Sequence, residues 1–225
     1  MILPEDNPHK IVDAMLKTGY NEEFCLSPDF SADFIARLME AGFLVMSAYF
    51  GNAEDKDERG YILLPKLHLS RSALFFENLH VKKSIKRCLP KYELRPDSDF
   101  DRILGRCLEK HGEDWLTEPL VAAIKKIREE KYYGVYPTSF ALYRDGELVA
   151  GEFGVICGRI YTSYSGYYDE VNAGTVQLIL STRYLEKNGF VFFDLGMPMS
   201  YKNDLGAVDI SPEEFVRLFR EGQVI

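Results

Sequence analysis

At 225 residues, with 46% apolar and 28% charged side chains and a net charge of −8, the chain has an ordinary globular composition, long enough for one large core or two modest ones. No uninterrupted apolar run approaches the roughly 20 residues of a membrane helix, and MILPEDNPHK has no basic start before an apolar stretch, so neither a span nor a secretion signal is expected. Cys25, Cys88, Cys107 and Cys157 are scattered without a C-x-x-C pair, and the histidines show no paired spacing; this predicts no disulfide framework, no metal centre and a reduced cytoplasmic location.

The charge is uneven along the chain. Residues 1–64 carry 5 Lys and Arg against 12 Asp and Glu, residues 136–225 carry 7 against 12, and residues 65–135 reverse the balance with 15 against 11. Salt limits the reach of charge to about 8–10 Å, so an acidic protein with a basic centre still meets phosphate locally. Overall acidity does not exclude a nucleic-acid partner.

In chain order, SPDFSADFIARLMEAGF (27–43) sets Phe34, Ile35, Leu38 and Met39 at helical spacing behind a Ser31 cap and stops near Gly42. GNAEDKDERG (51–60), polar between two glycines, predicts an exposed loop. YILLPKLHLSRSALFF (61–76) predicts extended segments broken at Pro65, and LHVKKSIKRCL (79–89) a short helix or the start of one. PDSDFDRILGRCLEKHG (96–112) is an amphipathic helix with acids at its start and Lys110 and His111 at its end, as the helix dipole favours. TEPLVAAIKKIREEKYYG (117–134) is another, opened by Thr117 with Pro119 in the first turn.

The period then changes from helical to alternating. Residues 139–168 predict a strand meander turning at Asp145-Gly146 and again at Cys157-Gly158. NAGTVQLILSTRYLEKNGF (172–190) returns to helix, VFFDLG follows as a covered strand, and SPEEFVRLFREGQ (211–223) starts with a capping box from Ser211 to Glu214. Helices, a meander, then a helix crossing to another strand make an α+β fold around a mixed sheet. The boundary is expected near residues 60–72, giving a small N-terminal α/β lobe (1–70) and a larger mixed-sheet domain (71–225).

Three groups of residues carry candidate chemistry. In HVKKSIKR, helical spacing puts Lys82, Lys83, Lys86 and Arg87 on one broad face, with Val81 and Ile85 towards the core; the face is either simply solvated or a phosphate-binding surface. Tyrosines cluster around the hairpins, Tyr164 and Tyr167 among them, and suit either a half-buried strand or a stacking platform. Asp194 ends an apolar run, and a carboxylate there needs a partner or a task. Phosphate-loop, dinucleotide, nucleophile-elbow and zinc-protease motifs are absent.

Taken together the segments resemble the bacterial leucyl/phenylalanyl-tRNA–protein transferases. SPDFSADFIARLMEAGF is similar to that family's G-D-L-S-P-x-x-L-L-x-A-Y-x-x-G-I-F, and RSALFFENLHVKKSIKR to its R-A-V-L-x-x-x-x-L-H-I-S-R-S-x-K-R. DWLT resembles T-W-I-T, GELVAGEFGVICG resembles D-E-L-V-G-G-x-Y-G-V-x-x-G, VNAGTVQLIL resembles E-N-A-S-K-x-A-L, and VFFDLGMPMSYKNDLGA pairs with a segment running from I-D-C-Q to L-G-A. The resemblance implies an acyltransferase core of the GNAT type behind a small N-terminal domain. It also implies transfer of leucine or phenylalanine from charged tRNA to a protein's N-terminal Arg or Lys, with no metal or cofactor.

Carried onto this sequence, the resemblance makes Asp194 the acid that orients the amine, with Tyr164, Ser165 or Tyr201 supplying hydrogen bonds. It places substrate contacts at Met46, Trp115, Thr117, Tyr167, Asn172 and Tyr201, and tRNA contacts at His80, Lys82, Lys83, Lys86 and Arg87. Against the family pattern, Gly196 stands in place of a Gln, Tyr164 in place of a Glu, and Leu44-Val45-Met46 in place of Phe-Pro-Trp. Two other readings stand beside transfer: an acyl-CoA-dependent N-acyltransferase, and an inactive module that binds tRNA or N-terminal degrons.

Overall fold

A computed structural model describes residues 1–51 and 60–224. The loop expected over 51–60 therefore lies outside the described residues except at its two glycines. The chain divides into two compact units, Met1–Leu69 with His111–Tyr136, and Ser70–Lys110 with Pro137–Ile225.

The first unit opens with helix α1 (Pro8–Thr18), which the sequence reading passed over. The Asn7 side chain accepts from the Lys10 amide at 3.2 Å, Pro8 fills the first turn and Gly19 ends the helix in the left-handed region. Helix α2 (Ala32–Glu40) buries Phe34, Ile35, Leu38 and Met39, so the helical period read from the sequence marks its buried face. Strands β1 (Leu44–Phe50) and β2 (Gly60–Lys66) pair antiparallel with Val45 opposite Pro65.

Pro65 does not break β2. Its carbonyl accepts from the Cys25 amide at 2.9 Å, and in a two-stranded sheet a missing N–H is tolerated. Helix α5 (Glu118–Glu130) joins this unit because Thr117 is held by Ser47 of β1 and Tyr133 donates to Asp33 of α2 at 2.6 Å. It ends earlier than its sequence suggested, at Lys131, whose φ of 56° turns the chain out of the helix.

The second unit is a sheet of seven strands in the order β4-β5-β6-β7-β8-β3-β9. These are β3 (Arg71–Leu74), β4 (Glu93–Pro96), β5 (Val135–Arg144), β6 (Glu147–Cys157), β7 (Ile160–Tyr168), β8 (Phe192–Gly196) and β9 (Val208–Ile210). Asp145 and Gly146 both take positive φ, the two-residue turn that the Asp-Gly pair predicted between β5 and β6. Helix α6 (Ala173–Lys187) packs Val176, Ile179 and Leu185 against one face. Helix α4 (Phe100–His111) sets Phe100 edge-on against Phe153 of β6, and α8 (Pro212–Gln223) closes over Ile160 of β7 at Gly222.

The helix expected over 79–89 contracts to one turn, α3 (Lys83–Lys86). It is fixed through Ile85 and through a short helix α7 (Ser200–Asp204) that the sequence reading passed over. Gly206 makes that anchorage possible: with φ at 99°, a side chain there would meet the Asn78 carbonyl at 1.9 Å. His80 donates its amide to the Leu205 carbonyl at 2.9 Å across the same contact.

Among the described residues no helix is long and apolar enough to cross a membrane.

Candidate active site

Within the second unit the sheet opens between two neighbouring strands. β7 and β8 run parallel and pair only from Ile160 with Phe192 to Thr162 with Asp194. Beyond that point β7 continues to Tyr168 beside β6, while β8 turns its last pairing to Ser72 of β3. A mixed sheet that parts beside a parallel pair leaves backbone and side chains facing an opening, the usual place for a site in such folds.

Asp194 sits at the root of this fork. Its side chain is 0% exposed, and Arg71, itself buried, donates from Nε to Oδ1 at 2.8 Å and from Nη2 to Oδ2 at 2.6 Å. Thr162 Oγ1 donates to Oδ2 at 2.8 Å and the Gly196 amide to Oδ1 at 2.9 Å. The Arg71 guanidinium lies 4.3 Å from the centre of the Phe215 ring. The partner that the sequence demanded for Asp194 is thus Arg71, 123 residues earlier in the chain. Both oxygens are consumed inside the fold, so in this conformation none faces an incoming amine.

Glu152, on β6, was not singled out from the sequence. It is 3% exposed, and Ser163 of β7 donates to its Oε2 at 3.3 Å, while Oε1 has no hydrogen-bond partner. Burial pushes its carboxyl up to about 7, against an opposing pull from Tyr161, Ser163, Gln177 and Lys202. The Tyr161 hydroxyl faces Glu152 and has no other partner, and it is driven well above the ordinary phenol range by burial and by its interaction with the Glu152 carboxylate. Lys202 of α7 donates to the carbonyls of Leu195 at 2.6 Å and Met197 at 2.7 Å, and burial lowers its pKa. The only sequence sign of this cluster is an acid inside an otherwise apolar strand, LVAGEFGV.

The expected site residues fall into three places. Tyr164 and Ser165 lie on β7 beyond its pairing with β8, Ser165 opposite Phe153 of β6 and Tyr164 at the register shift beside it. Tyr201 stands 48% exposed on α7, its hydroxyl pKa raised by burial and by Glu152. Tyr167 is buried under Arg106 of α4 and pushed up to about 12, chiefly by burial. Asn172 caps α6 in the left-handed region without a side-chain bond to the helix.

His80, Lys82, Lys83, Lys86 and Arg87 form a second place in the same unit. Lys82, outside the helix, pairs with Asp204 of α7 at 2.8 Å, and Lys83, Lys86 and Arg87 are exposed.

Met46, Trp115 and Thr117 belong to the first unit. Ser47 Oγ donates to the Trp115 carbonyl at 3.1 Å and accepts from the Thr117 amide at 3.0 Å and the Thr117 hydroxyl at 2.9 Å. Thr117 therefore straps its segment to β1 instead of capping α5 with its side chain.

A mixed sheet that forks beside a parallel pair, with buried acids in the strands at the fork and a basic segment anchored through α7, defines an α+β protein. The chain belongs to the leucyl/phenylalanyl-tRNA protein transferase family, whose model matches residues 73–220. It is 30% identical over 150 residues to the leucyl/phenylalanyl-tRNA–protein transferase of Pseudomonas entomophila, covering 64% of this chain and 65% of that protein. The protein of that name from Campylobacter jejuni (strain RM1221) is 24% identical over 188 residues, 84% of each chain. The matched part thus spans just under two thirds of the Pseudomonas relative, at 65%. Among solved structures, a conserved protein of unknown function from Bacteroides thetaiotaomicron aligns over 87% of this chain and 68% of its own with a TM-score of 0.37 and 16% identity.

Proposed function

We propose that this chain is an aminoacyl-tRNA–protein transferase, moving an amino acid of the leucine or phenylalanine kind from charged tRNA to the N-terminal amine of a protein, with Arg or Lys as the accepting residue. Family membership supports the reading. The observation that carries it is the fork between β7 and β8, which gathers Tyr164, Ser165 and a buried acid in the unit that also bears the basic segment.

The chemistry asks little acid–base power. The ester is already activated, and an N-terminal amine, with a pKa about 7.7–8.0, is partly neutral near pH 7. Holding the amine against the carbonyl and supporting the tetrahedral oxyanion carry most of the acceleration. Asp194, whose oxygens are all engaged, acts as a positioning residue: with Arg71 it fixes Thr162 and the Gly196 amide at the root of the fork. The parallel pair that opens there supports a GNAT-type acyltransferase core. Lys83, Lys86 and Arg87 are exposed cations suited to tRNA phosphates, with Lys82 tied to α7 through Asp204.

The test supplies the chain with a panel of charged tRNAs and peptides that differ in their first residue. Amino acid appearing on the peptide amine supports the reading. Turnover of an acyl-CoA instead points to an N-acyltransferase, and salt-dependent tRNA binding without turnover to a binding module; either result overturns it.

A further inference from the structure

We propose that Glu152 Oε1 and the Tyr161 hydroxyl form a receptor for an ammonium group of the substrate, with Glu152 taking its proton. The inference rests on the transfer reading above and deepens it.

A buried carboxylate oxygen without a partner is costly, and most such groups are satisfied. Here two such groups face each other, Oε1 of Glu152 and the hydroxyl of Tyr161, which interacts with Glu152 but meets no partner at close hydrogen-bond geometry. An ammonium has the donors for both at once. The backbone around them is cleared by glycine. A Cβ at Gly154 would strike the Tyr161 hydroxyl at 2.6 Å, so glycine there lets the ring reach across β6. Gly166, exposed and directly opposite Glu152 on β7, would set a Cβ 3.1 Å from Glu152 Cβ, so any side chain there would press on the stem that carries the acid.

The groups coupled to Glu152 come from four elements: Tyr161 and Ser163 on β7, Gln177 on α6, Tyr201 and Lys202 on α7, and Cys107 on α4. Lys202 directs its donors to two carbonyls instead of the acid, which leaves Oε1 open. With its carboxyl at about 7, Glu152 is matched to an amine of pKa about 7.7–8.0.

The step balances as follows. The ammonium N–H proton passes to Glu152 Oε1, the freed amine attacks the ester carbonyl and the C–N bond forms. The bond to the tRNA 3′ oxygen then breaks, that oxygen takes the second proton from nitrogen, and Glu152 returns its proton to solvent.

Two ammonium groups enter such a reaction, the acceptor's α-amine and the free amine of the aminoacyl ester. Steady-state kinetics on the full chain and on Glu152→Gln separate them. If the acceptor is held, KM for the peptide rises at least tenfold in the variant, KM for charged tRNA does not move, and the rise of kcat/KM with pH near 7 disappears. If the donor amine is held, wild type discriminates against N-acetyl-aminoacyl-tRNA and the variant does not. Gly166→Ala, which crowds the acid without removing it, is expected to weaken the same substrate, so the question stays open to test even if Glu152→Gln unfolds. An active wild type with both variants unchanged in KM, discrimination and pH profile overturns the receptor and leaves the transferase reading standing. A wild type inactive with every charged tRNA, yet binding the peptide amine through Glu152 in calorimetry, overturns the transferase reading instead.

Discussion

Two buried acids in one unit have opposite fates. Asp194 is fully partnered, and removing its carboxylate strands Arg71, 2% exposed at its side chain, as an uncompensated charge. Asp194→Ala is therefore expected to lose about 3–5 kcal/mol in urea unfolding. A loss below about 1 kcal/mol would place the pair outside the core's energetics. Replacing both ends with apolar residues is expected to recover much of the loss, because breaking such a pair costs more than removing it.

Glu152 makes stability depend on pH. Its carboxyl stands at about 7 in the fold against 4.5 in the free chain. Below pH 4.5 the acid is neutral in both states and carries no penalty. As pH rises from 4.5 to about 7 the unfolded chain ionises first, so stability falls, by roughly 3 kcal/mol at this group. Glu152→Gln should lack that fall, so the difference between the two unfolding curves grows with pH. A constant difference from pH 4 to 8 would contradict the assignment.

At the level of elements, the basic segment is held by docking more than by helix. α3 is a single turn, and His80 and Lys82 are placed by the Leu205 carbonyl just after α7 and by Asp204 at its end. Reversing Lys83, Lys86 and Arg87 to Glu should weaken tRNA binding and flatten the plot of log affinity against log salt by about 2–3 units of slope. An unchanged slope would remove these cations from the phosphate contacts. Gly206→Ala puts a side chain against the Asn78 carbonyl at positive φ, a strain of about 1–3 kcal/mol, and should loosen tRNA through displacement of His80 and Lys82. Affinity unchanged in that variant would uncouple the segment from α7.

The sequence displayed these elements unequally. α2, α6 and α8 and the β5–β6–β7 meander follow from period, caps and turn residues. Pro65 misled because its breaking effect depends on what its missing N–H would have met, here only the short bridging segment of residues 24–27 and not β1, a tertiary fact. The true extent of α3 was hidden because apolar spacing marks a buried face and does not count the turns that form.

For the molecule as a whole, the demand that Asp194 be partnered was legible, but no periodicity reaches across 123 residues to name Arg71. The open oxygen of Glu152 was equally out of reach, since an acid in a strand shows its face and not its unmet bonds. His111–Tyr136 groups with the N-terminal residues through contacts such as Ser47 with Thr117, which local patterning does not encode. Family likeness supplies what locality lacks, and the account stands on the chemistry it assigns. The most direct measurement is the fate of a labelled amino acid presented on tRNA together with an Arg-initiated peptide. The account predicts label on the peptide's α-amine with wild type and a steep loss with Glu152→Gln. Label that stays on tRNA, or leaves it only for water, with every donor and acceptor tried would contradict it.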